Sequence, residues 1–212
     1  MDLGGIDQNT MLRNNRKLEA RRAFEGLPTV RLGDLNLELA ELIGIGFQAS
    51  CVEIPQTNQV MKIFHRQETL EAYPEDLRTI VLTKVKRIEA EASKVKGGDI
   101  YGESKPKINL HLKDSERLVK EQVIALITAN LILPKCAAEP FSVIVTDEGV
   151  SCGYIMEKVE GQTVNVARNP DVRINESISL LRKAGAIVDT SIHGENVIQD
   201  TNGNFKFIDL SI

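Results

Sequence analysis

The sequence predicts an α+β protein, and three patterns carry that expectation. Apolar residues alternate through 35–64 around the turn signal Pro55-Gln-Thr-Asn58, which reads as an antiparallel meander. From Pro74 the apolar period lengthens to that of a helix, with Leu77, Ile80, Val81, Val85, Ile88 and Val95 on it. Hairpin signals then return twice in the remainder of the chain, with a helical stretch between them.

Taken in order, residues 1–25 are polar and basic, with Arg13, Arg16, Lys17, Arg21 and Arg22, and read as one short amphipathic helix or a loose arm. Residues 35–54 mix alternating apolar positions with Gly44 and Gly46, and Gln59-Val-Met-Lys-Ile-Phe64 follows as a strand. The helix opened by Pro74 ends at Gly97-Gly98, and 97–113 is a loop bearing glycine, lysine and proline. A second helix over about 115–130 carries Leu118, Val123, Ile124, Leu126 and Ile127. Residues 141–156 form a hairpin across Asp147-Glu148-Gly149. A third helix over about 174–188 leads to a last hairpin turning at Asn202-Gly203. The expected organisation is an arm at 1–34, an N-terminal region at 35–157 with a helical insertion at about 65–114, and a smaller region at 158–212.

Composition narrows the classes of function. With 212 residues, 42% apolar and 26% charged, the chain suits one domain or two small lobes. A net charge of −4 gives no reason to expect nucleic acid or an anionic membrane as a partner. The cysteines at 51, 136 and 152 and the histidines at 65, 111 and 193 lack metal-ligand spacing, so the thiols are expected to be reduced in a cytosolic setting. The polar start has no basic segment followed by an apolar run, and no stretch approaches the roughly 18 apolar residues of a membrane span. The expectation is a cytoplasmic protein, or one delivered into a host cell without a cleaved signal peptide.

Three features point to chemistry. Asn196 and Asp209 flank the last hairpin, which brings an amide and a carboxylate to one end of a strand pair, where they could hold Mg²⁺ on a nucleotide's phosphates. Gly44-Ile-Gly46 lies in a strand-turn-strand setting, where backbone without side chains can approach phosphates. Lys62 sits mid-strand between Met61 and Ile63 and must either reach solvent or find an anion.

In order, these pieces resemble the protein-kinase superfamily, over roughly 37–64 and 115–212. Gly44-Ile-Gly46 resembles the glycine-rich loop, with Ala49 where a third glycine is usual, and Val60-Met-Lys62 resembles the strand bearing the kinase lysine. The resemblance implies a two-lobed fold with an N-terminal antiparallel sheet and a reduced C-terminal lobe, binding ATP and Mg²⁺. It implies that Lys62 orients the phosphates with a helix carboxylate, best Glu121, with Glu116 and Glu89 as alternatives. Tyr154-Ile-Met-Glu-Lys-Val-Glu-Gly161, with Glu157 in its Met-Glu-x-Val-x-Gly part, resembles the hinge whose backbone meets adenine, with Met156 guarding the pocket's depth. Asn196 and Asp209 would hold the metal. The position five before Asn196, where a base Asp is usual, is Ser191, so the general base falls to Glu195, in His193-Gly-Glu195, or to Asp189. Leu210-Ser211 stand where Phe-Gly is usual, and no activation segment follows. The implied activity is phosphotransfer to a protein hydroxyl, in the manner of a kinase-like effector. The alternative is an inactive pseudokinase that docks a protein partner.

Overall fold

The computed structural model describes residues 8–46, 48–95, 115–164, 171–186 and 196–210. The architecture is α+β, with five helices and two sheets among the described residues. The chain forms two compact units that interleave along the sequence. Thr29–Val119 and Ser142–Met156 make one, called here the sheet unit; Met1–Pro28, Lys120–Phe141 and Glu157–Ile212 make the other, the hairpin unit.

The sheet unit is built on β1 (Thr29–Arg31), β2 (Glu41–Ile45), β3 (Ala49–Glu53), β4 (Gln59–Phe64), β5 (Pro140–Val145) and β6 (Ser151–Glu157). Their order is β1-β5-β6-β4-β3-β2. The meander expected over 35–64 is present, β2 to β3 to β4, all antiparallel. Its second turn closes through the Ile54 N–H donating to Gln59 O at 3.1 Å, and Gln56 adopts φ 61° there. The sheet as a whole is mixed rather than antiparallel, because β1 pairs parallel with β5. That strand lies in the segment expected to be an arm, and its three residues carry too little pattern to announce themselves.

From Val60 to Phe64, β4 is buried at every position. An inner strand covered on both faces reads as a continuous apolar run, and Lys62 is the exception within it. Helices α2 (Gln67–Glu71) and α3 (Glu75–Val95) follow. Of the apolar residues expected on its inner face, Leu77, Val81 and Val85 are buried, with Tyr73 just ahead of the helix in line with them, whereas Ile80 is 47% exposed.

Several buried polar groups in this unit are paired with one another or with backbone. Ser50 Oγ lies 2.8 Å from His65 Nε2, and the Thr69 hydroxyl donates to Phe64 O at 2.7 Å. Arg66 Nη1 donates to Ser115 Oγ at 2.8 Å, and Ser115 Oγ donates on to Ser151 O at 2.9 Å. The two ends of the 66–115 segment are thereby clasped to each other and to the start of β6.

The hairpin unit contains α1 (Gln8–Glu25), the greater part of α4 (Ser115–Ile132), α5 (Val172–Ala184) and a three-stranded antiparallel sheet. Its strands are β7 (Gln162–Thr163), β8 (Val197–Gln199) and β9 (Phe205–Phe207), in that order. Along α4, Val123, Ile124, Ala125, Leu126 and Ala129 are buried, so apolar residues face several directions, as in a central helix. Asn130 closes its end by donating to Ala137 O and accepting from Ala137 N–H, at 3.1 and 3.0 Å.

Asp171 caps α5 by accepting from Arg173 N–H at 2.8 Å. Helix α5 ends at Ala184 rather than near 188, because Gly185 turns left-handed at φ 88°. The Ala186 N–H bonds to Leu181 O and the Gly185 N–H to Arg182 O, a Schellman cap. Among the described residues no helix is long and apolar enough to cross a membrane.

Burial sets the chemistry of two cysteines. Desolvation pushes the Cys152 thiol up to about 12 and the Cys136 thiol up to about 11. Both donate to backbone carbonyls, Cys152 to Ile144 O and Cys136 to Ala129 O. The thiolate is the reactive form. In the native protein near pH 8 both are therefore expected to resist Ellman's reagent, and both to react once denaturant is added. Rapid native labelling at either position, located by peptide mass mapping, would contradict this burial.

Candidate functional site

In the sheet unit, register places three residues in a row. Gly44 of β2 pairs with Cys51 of β3, and Cys51 pairs with Lys62 of β4. Directly paired residues project to the same side of a sheet, so Cys51 and Lys62 share a face with the glycine turn at its edge. Lys62 is only 7% exposed. A lysine brought this far out of water needs anionic or polar company to remain charged.

The turn closes through the Gly46 N–H donating to Ala49 O at 2.9 Å. Neither glycine is demanded by packing. A Cβ at Gly44 would sit 3.7 Å from Cys51 Cβ, and one at Gly46 would sit 3.7 Å from Ala49 O, both ordinary contacts. Neither takes a left-handed φ. What the two glycines give this turn is backbone without side chains.

Gly153 of β6 contrasts with them. A Cβ there would lie 2.5 Å from Lys62 O and 3.1 Å from Ile63 Cα. The backbone that carries Lys62 is therefore packed directly against a residue that has no side chain.

In the hairpin unit, the β8–β9 ladder brings Asn196 and Asp209 to one end. Val197 pairs with Phe207, and one step beyond it the Ile208 N–H donates to Asn196 O at 2.9 Å. Asp209 is the next residue, so the amide and the carboxylate flank the same open end of the hairpin. The opposite end is fixed by Asp200, whose carboxylate accepts from the N–H groups of Asn202 and Asn204 at 2.9 and 2.8 Å. Those bonds, led by the one from Asn204, hold its carboxyl below the usual carboxylate range. Gly203 supplies the positive φ, 79°, that an Asn-Gly turn requires.

The hairpin is anchored on both sides. The Ala138 N–H donates to Phe207 O and the Phe207 N–H donates to Cys136 O, at 2.9 and 2.8 Å. On the other side of β9, Lys206 forms a short ion pair with Glu157, with both side chains largely covered. The Glu157 N–H donates to Glu139 O at 2.8 Å. The ring of Phe205 lies 4.8 Å beneath the guanidinium of Arg173, joining the hairpin to the first turn of α5.

The expected residues thus fall into two sets. Gly44, Gly46 and Lys62 belong to the sheet unit, and Glu121, Glu157, Asn196 and Asp209 to the hairpin unit. Lys62, Glu121, Asn196 and Asp209 each already interact within the protein. Glu116 stands in the first turn of α4, and Glu89 lies on α3. Asp189 and Glu195, with Ser191 and His193, lie outside the described residues. Two residues not foreseen act on these sets: Lys206, which ties Glu157 to the hairpin, and Gly153, which lets β4 approach β6. Alternation in Phe205-Lys206-Phe207 marks Lys206 as facing away from the phenylalanines, but nothing local points to a partner 49 positions away.

Two cavities, of about 330 and 210 Å³, also open in the sheet unit, and none of the expected residues lines either. Among the described residues no group of three His, Cys, Asp or Glu side chains could hold a metal. Mg²⁺ does not need one, since it commonly takes one or two protein oxygens and completes its shell with phosphates and water. The donor set at the hairpin end, one amide oxygen and one carboxylate, fits that hard cation.

No family model matches the chain, and no curated protein matches it. Among solved structures, the complex of Rv3197 with erythromycin from Mycobacterium tuberculosis is similar at 14% identity and a TM-score of 0.42, covering 99% of this chain. This chain spans 57% of the length of that one. A likeness of that size carries no argument about function.

Proposed function

We propose that the protein is a Mg²⁺·ATP-dependent phosphotransferase of kinase-like, two-lobed design, acting on a protein hydroxyl. The observation that carries the reading is the hairpin end, where Asn196 and Asp209 flank a ladder that is pinned at its turn by Asp200 and along its length by Lys206 and Glu157. A rigid strand pair that presents an amide and a carboxylate together is suited to a metal bridging phosphates. The buried Lys62, in register with a turn whose glycines leave its backbone open, supports the same reading.

On this reading the Lys62 ammonium would bind phosphate oxygens beside the open backbone of the glycine turn. Asn196 and Asp209 would hold Mg²⁺, which when bound would supply positive charge to the phosphates. The acceptor oxygen bonds to the γ-phosphorus as the bond to the bridging oxygen of ADP breaks. The acceptor's proton passes to Glu195 or Asp189. Because the Glu157 N–H already serves Glu139, Glu157 would meet the base through its carbonyl. Catalysis of this kind is mostly positioning and charge stabilisation.

The competing reading, a pseudokinase that docks a protein, is favoured by Ser191 in the position of the usual base, since a hydroxyl accepts no proton near neutral pH.

Thermal unfolding with and without Mg²⁺·ATP tests the site. Ligand at a hundredfold its dissociation constant stabilises the fold by about 2.7 kcal/mol, which reads as a rise of several degrees. The rise is expected to need Mg²⁺ and to vanish in Asp209→Ala. No rise at millimolar nucleotide, or one that survives in Asp209→Ala, would remove the hairpin site from the proposal.

A further inference from the structure

Lys206 is the middle residue of β9, a strand of three residues at the edge of a three-stranded sheet. A ladder so short offers few backbone hydrogen bonds, so the placement of β9 depends on what its side chains reach. Phe205 meets the Arg173 guanidinium, and Phe207 is buried. Lys206 alternates to the other face, opposite Ile198 of β8, and its ammonium reaches the Glu157 carboxylate. With the two side chains 19% and 24% exposed, the pair is screened less than one in open solvent.

Glu157 is held from three directions. One carboxylate oxygen takes Lys206, and the other accepts the Glu139 N–H over a longer 3.4 Å. Its own N–H donates to Glu139 O at 2.8 Å. Its carbonyl is the group that the proposed function gives to adenine. Beyond Lys206 the chain is fixed step by step: Phe207 uses both of its backbone groups on Cys136 and Ala138, the Ile208 N–H donates to Asn196 O, and Leu210 is buried. Asp209, held between Ile208 and Leu210, goes where the strand puts it. Glu139, Glu157, Asn196, Lys206 and Asp209 all belong to the hairpin unit, so this line of ties needs nothing from the sheet unit.

We propose that Lys206 is a positioning residue that couples base recognition at Glu157 to metal binding at Asn196 and Asp209, so that adenine and the Mg²⁺-bound phosphates bind cooperatively. The inference rests on the nucleotide reading given above. Adenine on the Glu157 carbonyl fixes the backbone from which the carboxylate hangs. A fixed carboxylate fixes the Lys206 ammonium, and with it the strand that ends just before Asp209. The second ligand then meets a site already ordered by the first, and linkage makes the gain equal in either order. The consequence is selectivity: an inorganic polyphosphate carries the same charge and the same metal, but lacks the base that tightens the hairpin end.

Calorimetric titration of the full chain with adenine, with Mg²⁺·tripolyphosphate, and with each after saturation by the other tests this. The two probes carry the base and the metal-bound phosphates on separate molecules, so no covalent link transmits the gain. Adenine is expected to tighten Mg²⁺·tripolyphosphate about fivefold or more, and the reverse titration to give the same factor. Lys206→Met should still bind each probe alone and lose the gain, whereas Lys206→Arg, which keeps charge and reach, should keep most of it. Glu157→Gln should lose the gain as well, and the double variant should lose no more than either single one. The exchanged pair Lys206→Glu/Glu157→Lys keeps a bridge and should recover the gain, which decides the matter even if Lys206→Met folds poorly by circular dichroism. A gain that survives in Lys206→Met makes the pair purely structural and overturns the proposal. So does a wild-type chain that binds both probes without any gain, an outcome that leaves the nucleotide site standing. Binding of neither probe removes the nucleotide site, and the coupling with it.

Discussion

Gly153→Ala should cost the protein about 3 kcal/mol of stability, and Gly153→Val should keep it from folding. The added Cβ would lie 2.5 Å from Lys62 O and 3.1 Å from Ile63 Cα, and both of those atoms are backbone. A flexible side chain could swing away from such a contact. Two strands in the middle of a six-stranded sheet cannot, since β6 stands between β5 and β4, and moving β6 breaks pairing on both of its sides. The Cδ1 of Ile144, 3.4 Å away, blocks further relief. Urea unfolding measures the effect as a lower midpoint at unchanged slope. Gly44→Ala is the control, because its Cβ would meet nothing nearer than 3.7 Å. If Gly153→Ala unfolds at the wild-type midpoint, the close approach of β6 to β4 is not a feature of the folded protein.

The second large effect is functional. Lys62→Met keeps the length and apolar stem of the side chain while removing the ammonium from a position 7% exposed. On the proposed reading the variant should fold, lose the Mg²⁺·ATP-dependent rise in melting temperature, and transfer phosphate at least about a hundredfold more slowly. Lys62→Arg separates charge from shape: it keeps the charge but brings a planar fork in place of a compact ammonium, and should recover only part of the binding. Nucleotide stabilisation that persists unchanged in Lys62→Met would mean that this lysine serves the sheet and not a ligand.

Local patterns in the sequence forecast the local structure. The helical period of Leu77, Val81 and Val85 and the turns at 55–58 and 202–203 are short-range signals, and each formed where its period or its turn residues required, although Ile80, read on the same face, is exposed. The juxtaposition of Asn196 and Asp209 was legible for the same reason, because one hairpin fixes both. Pairings between distant segments were not legible. β1 joins β5 in parallel register, and a parallel strand announces its partner by nothing within itself. Lys206 with Glu157 and Arg66 with Ser115 are likewise each 49 positions apart. Helix α1 gave no apolar stripe to find, because only Ala20 along its described length is buried. The antiparallel sheet expected from the N-terminal half was mixed for the same cause: its sixth strand came from the segment taken as an arm.

The interleaving of the two units has a consequence for how the protein is made. Synthesis proceeds from the N-terminus, and the hairpin unit draws on Met1–Pro28, Lys120–Phe141 and Glu157–Ile212. Helix α1 therefore leaves the ribosome well before Lys120–Phe141 and has no complete unit to join until β9 has followed it. The sheet unit is complete once Met156 has emerged, and it can settle first. For that interval a basic helix waits beside an unfinished unit, so drugs or rare codons that slow elongation between Met156 and β9 should raise its exposure to chaperones and proteases.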